Sequence, residues 1–382
     1  MEIMEHVRRN RFYGLWRKVR EQQNIGHLCK LLLETGEAVY DKELLDKRLI
    51  EIANRRCRIP QNPGIAAFGV KEWEDKGLWQ AFGRAGDFSL FDYGEFVGEK
   101  KFSVKEGRSA IGKGFLDFID ARASKGRPVH VAFFYVSGAS LDPLMLRQLA
   151  AKGIWTVLLG LDDKQQMPGH FVGSLQNWQL EAARNIDLYW TTWRTGADWL
   201  VSKGVNPWYS AAGADPTLFY PRPMERDIPV LWIGGGYGPR FDFIRWLRGQ
   251  GFDIRTYGRG WDGGAVSFEK MMELYSRAQV VLGMGGVGQT DAVKHLKGRD
   301  FEVPMSGSVY LTSFNPELTD FFNVGKEILC YSSFFECADL LHWLLRRPQK
   351  AEQIRYAARA RCINEHTWDH RIQEFMALLR VT

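Results

Sequence analysis

The sequence predicts a two-domain α/β protein, each domain built on a parallel sheet covered by helices. Three observations predict it. From residue 65 onward, short apolar runs recur and helix-like stretches follow them, the pattern of a sheet buried on both faces. The alternation breaks once, at YPRPMERDIP (220–229), which holds three prolines and no periodicity. And 382 residues exceed what one ordinary hydrophobic core supports.

The elements follow in order. Residues 1–59 read as a helical extension: Leu45, Leu49 and Ile52 share one face, and Leu28, Leu31 and Leu32 form another stripe. Pro60 and Pro63 end it. The first sheet domain spans 60–222. Its strands are IAAFGV, FSLFDYG, VHVAFFYVSG (129–138), IWTVLLGLDD, IDLYWTT and PWYSAAGAD. A helical stretch surrounds Trp79 and Phe82, and the helix PLMLRQLAAKG closes at Gly153. The second domain spans 223–366. It alternates VLWIGGG, RFDFIRWLRGQG, FDIRTYG, FEKMMELYSRA, QVVLGMGG, SVYLTSF and EILCYSS, then ends in the helices FECADLLHWLLRR and QKAEQIRYAARARCINEH. A last helix occupies 367–382, with Thr367 as its N-cap. The two domains leave a cleft. Parallel α/β sheets bind ligands at the carboxyl ends of their strands, so the strand-end loops hold the candidate residues.

Composition narrows the class. Hydrophobic content of 45% and charged content of 25% are ordinary for a globular protein. No apolar run reaches the ~18 residues that span a bilayer, and MEIMEHVRRNRFYG lacks a signal-peptide core, so a cytoplasmic location is expected. Five cysteines without a C-x-x-C pair predict reduced thiols. The net charge is +6, and the first 59 residues hold 13 Lys and Arg against 9 Asp and Glu. The rest of the chain is nearly balanced, which argues against nucleic acid as a partner. Within residues 8–20, Phe12, Trp16 and Val19 form one stripe among basic residues. Such a helix can lie on an anionic membrane surface; packing against the sheet domain or a second subunit is the alternative.

Three strand-end stretches carry candidate chemistry. In WIGGGYGPR, Gly234, Gly235 and Gly236 follow a buried strand, and Arg240 falls just inside the next helix. Glycine amides and a helix N-terminus suit a phosphate, and the arginine adds a grip. Tyr257 and Gly258 end the neighbouring strand and join this group. VVLGMGGVGQTD contains G-x-G-x-x-G at Gly283, Gly285 and Gly288. It comes late in its domain, so it reads as a loop lending amides to a sugar or phosphate rather than as a dinucleotide fingerprint. In KGRDFEVPMSGSVYLT, Asp300 can cap a short helix, Pro304 is tolerated near its first turn, and Gly307 stops it. Glu302 can accept two ribose hydroxyls, while Lys294, Lys297 and Arg299 neutralise a diphosphate; a surface Glu–Arg pair is the alternative. In LDDKQQMPGHF, Asp162, Asp163 and His170 can orient an acceptor hydroxyl.

The stretches KGRDFEVPMSGSVYLTSFNPEL, GKEILCYSSFFECADLLHWLL and EHTWDHRI resemble the C-terminal domain of the group 1 glycosyltransferases, closest to the CgeB-like branch. The resemblance implies a GT-B fold, two Rossmann-like domains facing across a cleft, with a nucleotide-sugar donor held by the C-terminal domain and an acceptor by the N-terminal one. A Glu matching Glu302 contacts the donor ribose in that family. A second Glu common in the family would fall at position 294, where this chain has Lys. Retention of configuration is implied, as is a role in building cell-envelope polysaccharide on a glycan, lipid-linked or protein acceptor. No D-x-D pair occurs, so no metal or other cofactor is expected: the cations and glycine amides would stabilise the leaving diphosphate. A nucleotide-sugar epimerase and a non-catalytic nucleotide- or sugar-binding scaffold are the rival readings.

Overall fold

Unbroken apolar runs in this chain become central strands, because only a strand covered on both faces can use apolar side chains on each. The computed structural model describes residues 42–98, 104–160, 163–166, 178–286, 291 and 293–380. Six parallel strands form the N-terminal sheet: β1 (Gly64–Gly69), β2 (Asp87–Asp92), β3 (Val131–Phe134), β4 (Trp155–Gly160), β5 (Leu188–Thr191) and β6 (Pro207–Tyr209). Their order is β2-β1-β3-β4-β5-β6. Ile65 lies opposite Val131, and Val131 opposite Trp155. Five parallel strands form the C-terminal sheet: β7 (Ile228–Ile233), β8 (Ile254–Tyr257), β9 (Ala278–Leu282), β10 (Val309–Ser313) and β11 (Leu329–Tyr331), in the order β11-β10-β9-β7-β8. The winding reverses between β1 and β3 in one sheet and between β7 and β9 in the other. Such reversal points open a crevice at the strands' carboxyl ends.

Helices cover both sheets. In chain order they are α1 (Lys42–Ala53), α2 (Leu78–Ala85), α3 (Tyr93–Val97), α4 (Val104–Ala123), α5 (Pro143–Ala151), α6 (Asp163–Gln166), α7 (Trp178–Arg184), α8 (Ala197–Ser202), α9 (Arg240–Gly249), α10 (Phe268–Arg277), α11 (Arg299–Met305), α12 (Phe334–Leu345), α13 (Pro348–Glu365) and α14 (Trp368–Leu379). Leu45 and Leu49 of α1 are buried, with Ile52 packed beside them, and Arg48 Nη1 donates to the Val205 carbonyl at 3.1 Å. The last helix returns to the N-terminal sheet. The Phe375 ring lies 5.9 Å from Phe82, 6.1 Å from Phe133 and 6.3 Å from Trp208. Arg84 grips Asp369 through two 2.7 Å hydrogen bonds. Thr367 caps this helix by accepting from the His370 amide at 3.1 Å.

Some elements depart from the sequence reading. FSLFDYG stops as a strand at Asp92, whose carboxylate accepts the Gly94 and Glu95 amides and starts α3. PWYSAAGAD keeps only three strand residues, Pro207–Tyr209. Helix α4, 20 residues long, has no counterpart in the sequence reading, which Gly107, Gly112 and Gly114 obscure. Two of these glycines are contact points: a Cβ at Gly112 would lie 3.0 Å from Asp142 Cβ, and one at Gly114 would lie 2.5 Å from the Phe96 ring. Pro304 sits in the second turn of α11 rather than its first. The helix is only seven residues long, so the one lost amide interrupts little. Among the described residues, no helix is long and apolar enough to cross a membrane. Residues 8–20 lie outside the described residues.

Candidate functional site

The crevice between β7 and β9 gathers most of the predicted site residues. After β7 the chain turns through Gly234 (φ 153°), whose amide donates to the Tyr257 carbonyl at 2.9 Å. The Gly236 amide donates to the Arg259 carbonyl at 2.7 Å. These two amides are therefore used inside the protein, and only Gly235 keeps its amide unbonded among the described residues. The glycines serve loop packing: a Cβ on Gly258 (φ 120°) would stand 2.5 Å from the Gly234 carbonyl oxygen. That oxygen accepts from Trp232 Nε1 at 3.1 Å and Trp261 Nε1 at 2.8 Å. Tyr257 is half-buried beside it.

Two arginines converge on this loop. Arg240, the first residue of α9, is 3% exposed. Its Nη1 donates to the Gly235 carbonyl at 2.9 Å, and its guanidinium stacks 3.9 Å from the Tyr237 ring centre. Burial, aided by the charge of Arg299, draws its pKa below the usual value. Arg299 Nη1 donates to the Ile233 carbonyl at the end of β7. Burial works against its charge, but Tyr310, Tyr275, Glu302 and Asp300 outweigh burial and hold its pKa above the usual value.

Glu302 sits one turn along α11. Its amide donates to the Gly298 carbonyl at 2.9 Å, but its half-buried carboxylate has no hydrogen bond among the described residues. Burial lifts its pKa to about 7, opposed by Arg299 and reinforced by Asp300. Asp300 is 2% exposed. Its carboxylate accepts the Lys297 amide at 2.8 Å, tying the preceding turn rather than the helix end, and burial lifts its pKa to about 6. Gly307 (φ 72°) ends the helix, and the linker's Pro221 packs against it.

Across the crevice, Gly285 and Gly286 form one side of a hairpin whose other side is Lys294 and His295. Gly286 bridges antiparallel to Lys294, and the His295 amide donates to the Gly285 carbonyl at 2.9 Å. Lys294 Nζ lies 3.4 Å from Asp291. Among the described residues Asp291 Oδ1 is buried without a partner, and burial raises this carboxyl's pKa against the pull of Lys294. The sequence reading passed over Asp291. Its one signal was an acid three residues before a site lysine.

The N-terminal domain meets this hairpin directly. His295 is fully buried; its Nε2 accepts the Lys164 amide at 3.1 Å and its Nδ1 faces Thr192 Oγ1 at 3.1 Å. Asp163 is fully buried and accepts from Tyr189 Oη at 2.5 Å and from Thr191 Oγ1. Its carboxylate is thus committed to the base of the β4 and β5 strand ends. Asp162, His170 and Gly288 lie outside the described residues. His366 is no metal ligand in this arrangement: its Nε2 faces the Phe321 carbonyl at 2.7 Å and its Nδ1 faces Arg371 Nη2 at 3.0 Å. Among the described residues no His, Cys, Asp and Glu cluster is arranged to hold a metal.

Comparison with known structures decides the architecture. Sucrose-phosphate synthase from Thermosynechococcus elongatus superposes with a TM-score of 0.59 at 13% identity, covering 84% of this chain and 98% of that one. Anabaena HepE in complex with UDP-glucose gives 0.58 at 10% identity over 82% and 99%. The fold is GT-B. An alpha-glucosyltransferase in complex with UDP also matches, with a TM-score of 0.56 at 11% identity over 82% and 99%. Residues 240–377 match the protein-family model described as Glycosyl transferase-like. That stretch begins at Arg240 and includes Lys294, Arg299 and Glu302. No curated protein sequence matches the chain significantly.

Proposed function

We propose that this protein is a glycosyltransferase that moves a sugar from a nucleotide-diphosphate donor to a hydroxyl acceptor. The carrying observation is the pair Arg240 and Arg299 held at the end of β7, with Glu302 beside Arg299 in α11, within the stretch that matches the Glycosyl transferase-like family model. In this reading Glu302 accepts ribose hydroxyls; burial raises its pKa, and its carboxylate has no hydrogen bond among the described residues. When the bond between the anomeric carbon and the diphosphate oxygen breaks, its electron pair leaves with the diphosphate. Arg240, Lys294, Lys297 and Arg299 supply positive charge there without a divalent ion. Asp291, beside Lys294, supplies a carboxylate near the position where the group 1 pattern has its second Glu.

Asp162 and His170 are proposed to orient the acceptor, and Asp163 to hold their strand end through Tyr189 and Thr191. We propose retention of configuration, kinship with the CgeB-like branch, and a glycan, lipid-linked or protein acceptor met in the cytoplasm or at a membrane face through residues 8–20. UDP sugars are the first donors to test, because solved structures of this fold hold UDP and UDP-glucose.

The test is a thermal-shift panel of UDP, GDP, TDP, ADP and CMP with their sugar conjugates, on wild type and Glu302→Ala. A ligand that binds only the native state raises its melting point. One nucleotide should stabilise the wild type and lose that effect in the variant. No shift with any nucleotide, or equal shifts in both proteins, would overturn the donor site.

A further inference from the structure

A second cavity, of about 390 Å³, opens at the amino ends of β7, β9 and β10, the opposite end of the C-terminal sheet from the crevice. Its walls come from the interdomain linker, from Gly307 ahead of β10, and from one face of α13. Residues 352, 355, 356, 359, 360 and 363 line it at the three- and four-residue spacing of a single helix face.

Three arginines meet here. Arg226 Nη1 donates to the Ala278 carbonyl at 2.7 Å and its Nη2 to the Gly307 carbonyl at 2.9 Å. Arg355 Nη2 donates to the Gln279 carbonyl at 3.1 Å. Arg359 Nη1 donates to the Phe219 carbonyl at 3.2 Å and to the Met305 carbonyl. These backbone anchors fix the guanidiniums in place, yet none neutralises charge. The only carboxylate in the lining, Glu352, pairs with Arg355 at 2.6 Å and is 63% exposed. Arg355 itself is 7% exposed, and its buried Nε has no hydrogen-bond partner among the described residues. The rest of the lining is apolar: Pro221, Ile363 and the ring of Tyr356, a residue that is 78% exposed.

We propose that this pocket is a second ligand site, separate from the strand-end crevice, that binds a small organic anion: one phosphate or carboxylate group joined to an apolar or planar body. Held arginines with an excess of positive charge and a spare buried N–H are suited to a compact anion. The volume falls in the ~300–1,000 Å³ range of small-molecule sites. Burial and the neighbouring Arg355 charge push the Arg226 pKa down to about 10, a repulsion that a bound anion would relieve. Because Pro221 and Arg226 belong to the segment joining the two sheets, a ligand here bears directly on the interdomain connection.

The test titrates the full chain with phenyl phosphate, benzoate and inorganic phosphate, following heat of binding and melting temperature in wild type, Tyr356→Ala and Arg359→Gln. Wild type should bind phenyl phosphate or benzoate saturably, and the preferred probe identifies the anion. Loss of the ring in Tyr356→Ala should weaken the preferred probe by about fivefold, and Arg359→Gln by about tenfold, a decade being ~1.4 kcal/mol. The UDP response should be unchanged in both. Tyr356 is exposed enough that its variant folds even if Arg359→Gln does not. Absence of saturable binding in wild type, equal affinity in wild type and Tyr356→Ala, or displacement of the probe by UDP would overturn the proposal.

Discussion

Lys164 Nζ lies 2.7 Å from Glu317 Oε2, joining the two domains through an ion pair whose side chains are 9% and 3% exposed. The same ammonium donates to the Lys294 carbonyl at 2.7 Å, and Glu317 Oε1 accepts the Arg194 amide at 3.0 Å. The pair therefore fixes the site hairpin against the N-terminal strand ends. Removing one partner strands a buried charge, which costs about 3–5 kcal/mol, whereas replacing both with apolar groups is often near neutral. Lys164→Met and Glu317→Leu should each lower unfolding free energy by about that amount, and the double variant should recover much of it. Urea denaturation of the four proteins checks this; additive losses would show that the pair is uncoupled.

His295 gives a pH signature. Its pKa is held well below the ordinary 6.5, chiefly by burial, then by the charges of Lys164 and Lys297. Nε2 accepts the Lys164 amide, so the proton sits on Nδ1 and points at Thr192. Below pH ~6.5 the unfolded chain takes up a proton that the native imidazole refuses, so this contribution to stability is present above that pH and is lost as pH falls. Other groups titrate in the same range, so the clean quantity is a difference. The stability advantage of wild type over His295→Gln should be constant above pH ~7 and shrink by up to ~1.4 kcal/mol per pH unit below ~6.5. Guanidinium melts at a series of pH values measure it, and a flat difference would contradict a neutral buried imidazole.

The sequence shows the sheets and the glycine turns because both are local: an apolar run such as WTVLLG is a buried strand wherever it lies, and Gly307 stops a helix by its own φ. It also shows Arg299 and Glu302, which share one short helix. It hides what depends on distant partners. Lys164 and His295 are 131 positions apart, and nothing near either residue marks the contact. Helix α4 is hidden for the same reason, since its glycines answer to Phe96 and Asp142 rather than to helix propensity. In the sequence the amides of Gly234 and Gly236 read as available for a phosphate, but the carbonyls of Tyr257 and Arg259, at and just past the end of β8, take them.

Among the described residues the buried Tyr275 hydroxyl has no hydrogen-bond partner, and burial, with Glu302 adding to it, pushes its pKa well above the usual tyrosine value. An unpaired buried hydroxyl costs ~1–3 kcal/mol. Tyr275→Phe removes that cost and keeps the ring. Its melting temperature should equal or exceed that of wild type; a clear drop would reveal a partner for the hydroxyl.

Gly258→Ala should be among the costly single-methyl changes in this chain. The residue has φ 120°, and the added carbon would stand 2.5 Å from the Gly234 carbonyl oxygen, which already accepts two indole N–H groups. Strain at such a φ costs about 1–3 kcal/mol before any clash. The variant should lose at least ~2 kcal/mol of stability, and tryptophan emission should change because Trp232 and Trp261 both bond to that oxygen. Wild-type stability in this variant would mean the two loops are not packed as described.

The pH dependence of donor binding isolates Glu302. Its folded pKa of about 7 stands above the ordinary 4.5 because burial outweighs the attraction of Arg299. The sign for stability is unfavourable: ionising a carboxylate whose pKa is raised by folding destabilises the native state as pH climbs from ~4.5 to ~7. Glu302→Gln should therefore gain on wild type as pH climbs from ~4.5 to ~7, so that its stability relative to wild type is higher at pH 8 than at pH 4. For the proposed donor the sign reverses, since only the ionised form accepts two ribose hydroxyls without donating a proton. Wild-type affinity for the nucleotide selected by thermal shift should rise between pH 6 and pH 8, while Glu302→Gln should bind about tenfold more weakly at pH 8, the equivalent of ~1.4 kcal/mol, with a flat profile. Isothermal titration at three pH values reads both effects. Parallel profiles in the two proteins would remove Glu302 from the donor site and leave its raised pKa as a property of burial alone.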